Sequence, residues 1–283
     1  MFNINLKKEA LSIHKETLER YNGSYESMGK SCKQLHDMRE QSIDLIKLIQ
    51  RVVNSIANTP KDFDTQLGKI GKELSKFTET EEYAMKAYAD SVKAGINIAG
   101  GAAAGIGVAS ITPTLMMHIA TTFGTASTGT AISALSGAAA QKAALAWIGR
   151  TFAGFAVKEG AGMAVGQAFL ALAGPIGWGL TAASTGISLI SLSHKNKKLA
   201  DSAVEEAKEI AQAREALDEA NEKIKALTSR TKLLYNDINK QRNKITGFTN
   251  LNYKSASSED KYFLGTLVNN TLSLSVLLNE TVK

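Results

Sequence analysis

A single cysteine, Cys32, stands in 283 residues, so neither an intramolecular disulfide framework nor a cysteine-based zinc site can be built within the chain. The four histidines, His14, His36, His118 and His194, are scattered and form no His-Glu-x-x-His pair on a helix. His118 stands alone in an apolar run and reads as a core or pore-facing residue. The glycines from Gly100 to Gly107 (GGAAAGIG) fail as a nucleotide loop. Ile106 follows Gly105 where a lysine is required, no Gly-x-Gly-x-x-Gly is present, and no strand precedes them. Glu81 and Glu82 read as a solvated helix face rather than an acid/base pair. The expectation is therefore a protein that is not an enzyme, with no cofactor, no metal and no small-molecule substrate. The N-terminal stretch MFNINLKKEALSIHKETLER has no apolar run behind its charges. No cleavable secretory signal is expected, so the soluble form is cytoplasmic or leaves by a non-classical route.

Charge is missing where the chain is longest without interruption. Of 33 basic and 27 acidic side chains, only Lys142, Arg150, Lys158 and Glu159 lie between Ala94 and Ser193, a window that also holds 17 of the 23 glycines. The mean hydropathy of −0.10 averages two charged arms and one almost uncharged block. The net charge of +6 divides into +1 for residues 1–93, +2 for 94–193 and +3 for 194–283. Each arm is nearly balanced, so the basic pI does not indicate a nucleic-acid partner, which needs its positive charge on one face.

What the arms do contain is heptad spacing. In residues 1–93 one apolar set is Leu11, Leu18, Tyr25, Cys32, Ile46 and Val53, and the other is Tyr21, Met28, Leu35, Ile49 and Ile56, with Arg39 and Ser42 interrupting. A period near 3.5 over about six heptads predicts a long helix packed against partners. Thr59 and Pro60 read as N-cap and first residue of a second helix carrying Phe63, Leu67, Ile70, Leu74, Phe77, Ala84 and Tyr88. In residues 194–283 the seam is Ala203, Ile210, Ala213, Leu217, Ala220, Ile224, Leu227, Leu234, Ile238 and Ile245, broken by Thr231 and Gln241. It predicts one helix from Ala203 to Ile245, capped near Gly247. A loop from Asn250 to Ser257 and a last helix capped by Ser258, with Phe263, Leu267, Leu274 and Leu278, complete this arm. No window alternates with period two, so almost no sheet is expected. Helices on either side of the block that pack together would leave both ends of the block on one side.

Residues 94–141 and 160–193 carry no charge, and either run exceeds the roughly 20 residues that cross a bilayer core. An even number of crossings then predicts a helical hairpin. One leg carries Ile96, Ile98, Val108, Ile111, Leu115, Met116 and Phe123. The other carries Phe169, Leu170, Leu172, Trp178, Leu180, Ile187, Leu189 and Ile190. Gly101 with Gly105, and Gly162 with Gly166, provide small faces for close helix contact. Lys142, Arg150 and Lys158, eight apart, mark a segment that lies in the interface or lines a passage. Lys195, Lys197 and Lys198 follow the last apolar run, where anionic headgroups would sit. Pro113 and Pro175 mark kinks or turns. The block is Gly, Ala, Ser and Thr rather than Leu, Ile and Phe, and small residues contribute little to transfer out of water. Such a segment enters a membrane conditionally. The alternative is the buried core of a soluble helical protein.

The seams and the block together resemble the α-helical pore-forming toxins of the cytolysin A, haemolysin BL and non-haemolytic enterotoxin type, and the same layout resembles apolipoprotein-L-type channel proteins. The resemblance is one of architecture over the whole chain. It implies an all-α fold: an elongated bundle of long coiled-coil helices with a central apolar hairpin. The chain divides into an N-terminal arm of two long helices (1–93), the membrane-inserting block (94–193) and a C-terminal arm of a long and a short helix (194–283). The partners it implies are a lipid bilayer and further copies of the chain, with or without companion subunits. The soluble form would hide the hairpin and then become membrane-associated. The competing expectation is a constitutively membrane-anchored coiled-coil scaffold without pore activity.

Overall fold

The computed structural model describes residues 2–93 and 195–280, together with Ala120, Thr130, Ile132, Leu135, Ala139, Ala143 and Ala144. Among the described residues the protein is all-α, without a strand. Helix α1 (Phe2–Ser55) runs for 54 residues and α2 (Lys61–Lys93) for 33. Helix α3 (Lys195–Asn239) is followed by the short α4 (Arg242–Gly247), a 3₁₀ turn (Tyr253–Ser255) and α5 (Ser258–Leu277).

Heptad spacing explains which residues the helices bury. Along α1 and into Ile56 just past its end, Tyr21, Met28, Leu35, Ser42, Ile49 and Ile56 are buried at every seventh position, and so are Cys32, Arg39, Ile46 and Val53. Ser31, Met38, Leu45 and Val52 form a third buried row. Three rows rather than two are shielded because α1 packs on more than one neighbour, and its apolar stripe widens accordingly. On α3 and α4, Ala203, Ile210, Leu217, Ile224, Thr231, Ile238 and Ile245 are all buried. The polar members of these rows do not interrupt them. The hydroxyls of Ser42 and Thr231 donate to the carbonyls of Met38 (2.7 Å) and Leu227 (2.9 Å), one turn back on their own helices. A hydroxyl satisfied in this way can enter an apolar interface without desolvation cost beyond that bond.

Four local expectations are corrected. Leu11, placed on the seam, is 47% exposed. The single helix expected through Ile245 stops at Asn239, where Gln241 (φ −97°, ψ 9°) turns the chain into α4; its backbone amide donates to the Ile238 carbonyl and its side-chain Nε2 to the Asp237 carbonyl. Helix α2 begins at Lys61, one residue after Pro60, whose carbonyl accepts from the Phe63 amide. The cap of α5 is Ser257, not Ser258: its Oγ accepts from the Asp260 amide at 3.1 Å.

The chain divides into two compact units, Met1–Cys32 with Ala84–Glu222, and Lys33–Tyr83 with Lys223–Lys283. In the second unit α1, α2, α3, α4 and α5 share one core, built on Leu45, Ile49, Phe63, Ile70, Phe77, Ile238, Ile245 and Leu264. The α1–α2 turn and the α4–α5 loop are joined at a parallel bridge from Ala57 to Asn252. The Ala57 amide donates to Leu251 and the Tyr253 amide to Ala57, at 2.8 and 2.9 Å. Asn58 and Asn250 have φ of 60° and 61°, the left-handed region that asparagine tolerates better than other side chains. The side chains of Asn58 and Asn252 hydrogen-bond to one another at 3.1 Å, and the Asn250 amide donates to Ser55 Oγ. Beyond α5, Arg39 Nη2 donates to the Glu280 carbonyl (2.9 Å), Arg230 pairs with the Glu280 carboxylate (2.7 Å), and Asn279 Nδ2 reaches the carbonyl and carboxylate of Glu73. These contacts fasten the residues after α5 to α1, α2 and α3.

The first unit buries Tyr21 and Met28 of α1 and Ile210 and Leu217 of α3, and nearer the start of α3 its contacts are made by small residues. Ala10 of α1 meets Ala200 and Ala203 of α3 in a small apolar cluster. Asn221 Nδ2 of α3 donates to Ser27 Oγ of α1 at 3.1 Å. Both contacts pair residues about 194 apart in sequence, so α1 and α3 run parallel here. Asn221 is 5% exposed, and a buried amide with one partner favours a single register.

Candidate membrane-insertion site

The site is approached through the helices that border it. In the second unit the Ala57–Pro60 turn sends α2 back along α1, and the rings of His36 and Phe77 stack with centroids 6.4 Å apart. Helix α2 then continues to Lys93, and its residues from Ala84 onward belong to the first unit. Helix α3 is described from Lys195 and lies in the same unit as far as Glu222, with Ala200 and Ala203 beside Ala10 near the start of α1. Both flanks of the uncharged block therefore belong to one compact unit.

The candidate apolar residues between positions 96 and 190 lie outside the described residues. So do Gly101, Gly105, Gly162 and Gly166, and the basic residues Lys142, Arg150 and Lys158. Lys195, Lys197 and Lys198 are described, and they open α3 as part of a continuous helix. Within the block, Ala120, Ile132 and Ala144 are fully buried, whereas Thr130 and Ala139 are exposed. The Leu135 amide donates to the Ile132 carbonyl at 3.0 Å.

Next to the lysines, α3 presents Ala200, Ala203 and Ala207, all buried. Ala200 and Ala207 were not on the predicted seam, although their steps of three and four from Ala203 carry the same helical signal. The seam beside the block is thus lined with methyl groups. Charge on the flanking helices is internally balanced: Lys15 pairs with Glu19, Arg20 with Glu16, Lys208 with Glu205, and Arg214 with Asp218. Exposed pairs one helical turn apart each contribute about 0.3–0.5 kcal/mol, so these order the surface without holding the unit closed.

Among the described residues no group of three or more His, Cys, Asp or Glu side chains could hold a metal ion. No helix among them is long and apolar enough to cross a membrane. No protein-family model matches the chain, and neither a curated protein nor a solved structure is similar to it.

Proposed function

We propose that the chain is a membrane-inserting, oligomerising α-helical pore-forming protein, a toxin or a cell-death or defence effector, that leaves a soluble form by releasing its apolar block. The fold this implies is an elongated bundle of long coiled-coil helices with a central apolar hairpin. The observation that carries the reading is the absence of charge over residues 94–141 and 160–193, between flanks that belong to a single compact unit. If the helices on either side of the block pack together, its ends lie on one side, which favours an even number of crossings, and a hairpin is the smallest such arrangement.

The mechanism is a two-state competition. In the soluble state the block is shielded, a reading supported by the complete burial of Ala120, Ile132 and Ala144. In the inserted state lipid shields it instead, and contacts between copies tip the equilibrium. Small residues suit both states, because each loses little by exchanging protein for lipid. Lys195, Lys197 and Lys198 would stay at the headgroup level as anchors.

Dye release from vesicles of phosphatidylcholine and phosphatidylglycerol tests the reading. Wild-type protein is expected to empty them, and Ala103→Asp to lower release at least tenfold with helical content retained, since a carboxylate at the bilayer centre costs about 2.5–3.5 kcal/mol. Neither leakage nor lipid association between pH 5 and 8 would remove the proposal. A chain that leaves the membrane fraction only with detergent, and causes no leakage, is the anchored scaffold.

A further inference from the structure

Lys15, Arg20 and Lys33 of α1 each have a carboxylate partner one turn away. Toward the C-terminal end of α1 two cations share one cleft. Lys47 and Arg51 stand four residues apart, and neither has a carboxylate within ion-pair distance among the described residues. Like charges at this spacing repel by a few tenths of a kcal/mol, so helix stability does not explain them. Arg242, at the start of α4, faces the same cleft, which has a volume of about 720 Å³ and is completed by Asp44, Gln50 and Asn54. The cleft lies wholly within the second unit.

We infer that this cleft binds a phosphate group, presented by a lipid headgroup or by a small soluble phosphate ester. Three cations from two helices converge on one volume, and each guanidinium offers a planar fork that matches two oxygens of a phosphate. An anion seated between Lys47 and Arg51 converts their repulsion into two charge-assisted hydrogen bonds. Gln50 and Asn54 supply amide donors beside them. Asp44 limits the site to a modest anion, since one carboxylate against three cations leaves a net charge of +2. A long polyanion needs an extended basic track, and the arms are otherwise nearly balanced. The inference does not depend on pore formation, because binding at the cleft is measured without leakage.

The test uses the full chain. Inorganic phosphate is titrated calorimetrically, and cosedimentation is measured with vesicles of phosphatidylcholine alone and with one-fifth phosphatidylglycerol. Arg51→Gln combined with Arg242→Gln is expected to weaken binding at least tenfold. Lys69→Gln with Lys72→Gln, which removes equal charge from exposed positions on α2, is expected to change it less than twofold. Lys47→Gln alone gives an intermediate loss. Arginine-dependent binding of inorganic phosphate assigns the site to soluble esters, and arginine-dependent binding of anionic vesicles alone assigns it to headgroups. The inference is overturned if neither probe binds, if the α2 variant loses as much as the arginine variant, or if a single-stranded oligonucleotide displaces the probe at a lower concentration than either source.

Discussion

The core of the second unit and the part of the first unit around the start of α3 use the same heptad spacing with side chains of different size, and the consequences for stability differ. The second unit fills its seam with Ile46, Ile49, Ile70, Phe77 and Leu264 and closes it with α5. Near the start of α3 the first unit has Ala10, Ala200 and Ala203 in contact, while its larger buried side chains, Tyr21, Met28, Ile210 and Leu217, come further along α1 and α3, where Asn221 also bonds to Ser27. A buried Leu, Ile or Phe contributes about 1.5–3 kcal/mol, whereas a methyl group contributes about 0.8. Packing by small residues is the easier to undo. Of the segments that border the uncharged block, the start of α3 is the one seen to be held by small contacts, at Ala200 and Ala203.

Variants that strike each unit separately test this difference. Phe77→Ala empties a fully buried position of the second-unit core and should cost about 3–5 kcal/mol in denaturant unfolding. A loss below 1 kcal/mol would mean that the core does not depend on the α2 aromatic. Arg39→Met keeps a long apolar stem but removes the donor to the Glu280 carbonyl; a loss of about 1.5–3 kcal/mol is expected for a buried charged hydrogen bond. Protection of the last turns of α5 against amide hydrogen exchange should fall with it.

Asn221→Ala should cost about 0.5–1.5 kcal/mol, and the change should appear as faster exchange in the first part of α3 and not in α5. Equal acceleration in α5 would show that the two units open together. The smallest effect belongs to Arg230→Ala. Its ion pair with Glu280 joins side chains that are 62% and 32% exposed, so about 0.2–1 kcal/mol is expected, shrinking further in 1 M salt.

How far the fold was legible can be followed along α1. The sevenfold recurrence from Tyr21 to Ile56 marked the helix and its buried face, because helical periodicity is a property of the chain alone. Arg39 read as an interruption because its partner, the Glu280 carbonyl, becomes visible only once the helices are placed, whereas Ser42 bonds to the Met38 carbonyl one turn back on α1 itself. The break at Lys240–Gln241 was hidden because Ile245 keeps the heptad count on either side of it. The basic cleft was equally hidden. Lys47 and Arg51 lie nearly 200 residues from Arg242, and no spacing rule joins them.

For the proposed membrane site, the distribution of charge alone marked the block and its basic flanks. Whether the ends of that block lie together depends on contacts distant in sequence. The turn at Asn58 sends α2 back along α1 in the second unit, and in the first unit the alanines of α3 meet Ala10. The sequence by itself determined helix type, apolar faces and the uncharged centre, since these follow from local periodicity and composition. Only the tertiary structure decided how Arg39 and Asn221 are satisfied and which residues share a core, because these depend on groups that folding brings together from opposite ends of the chain.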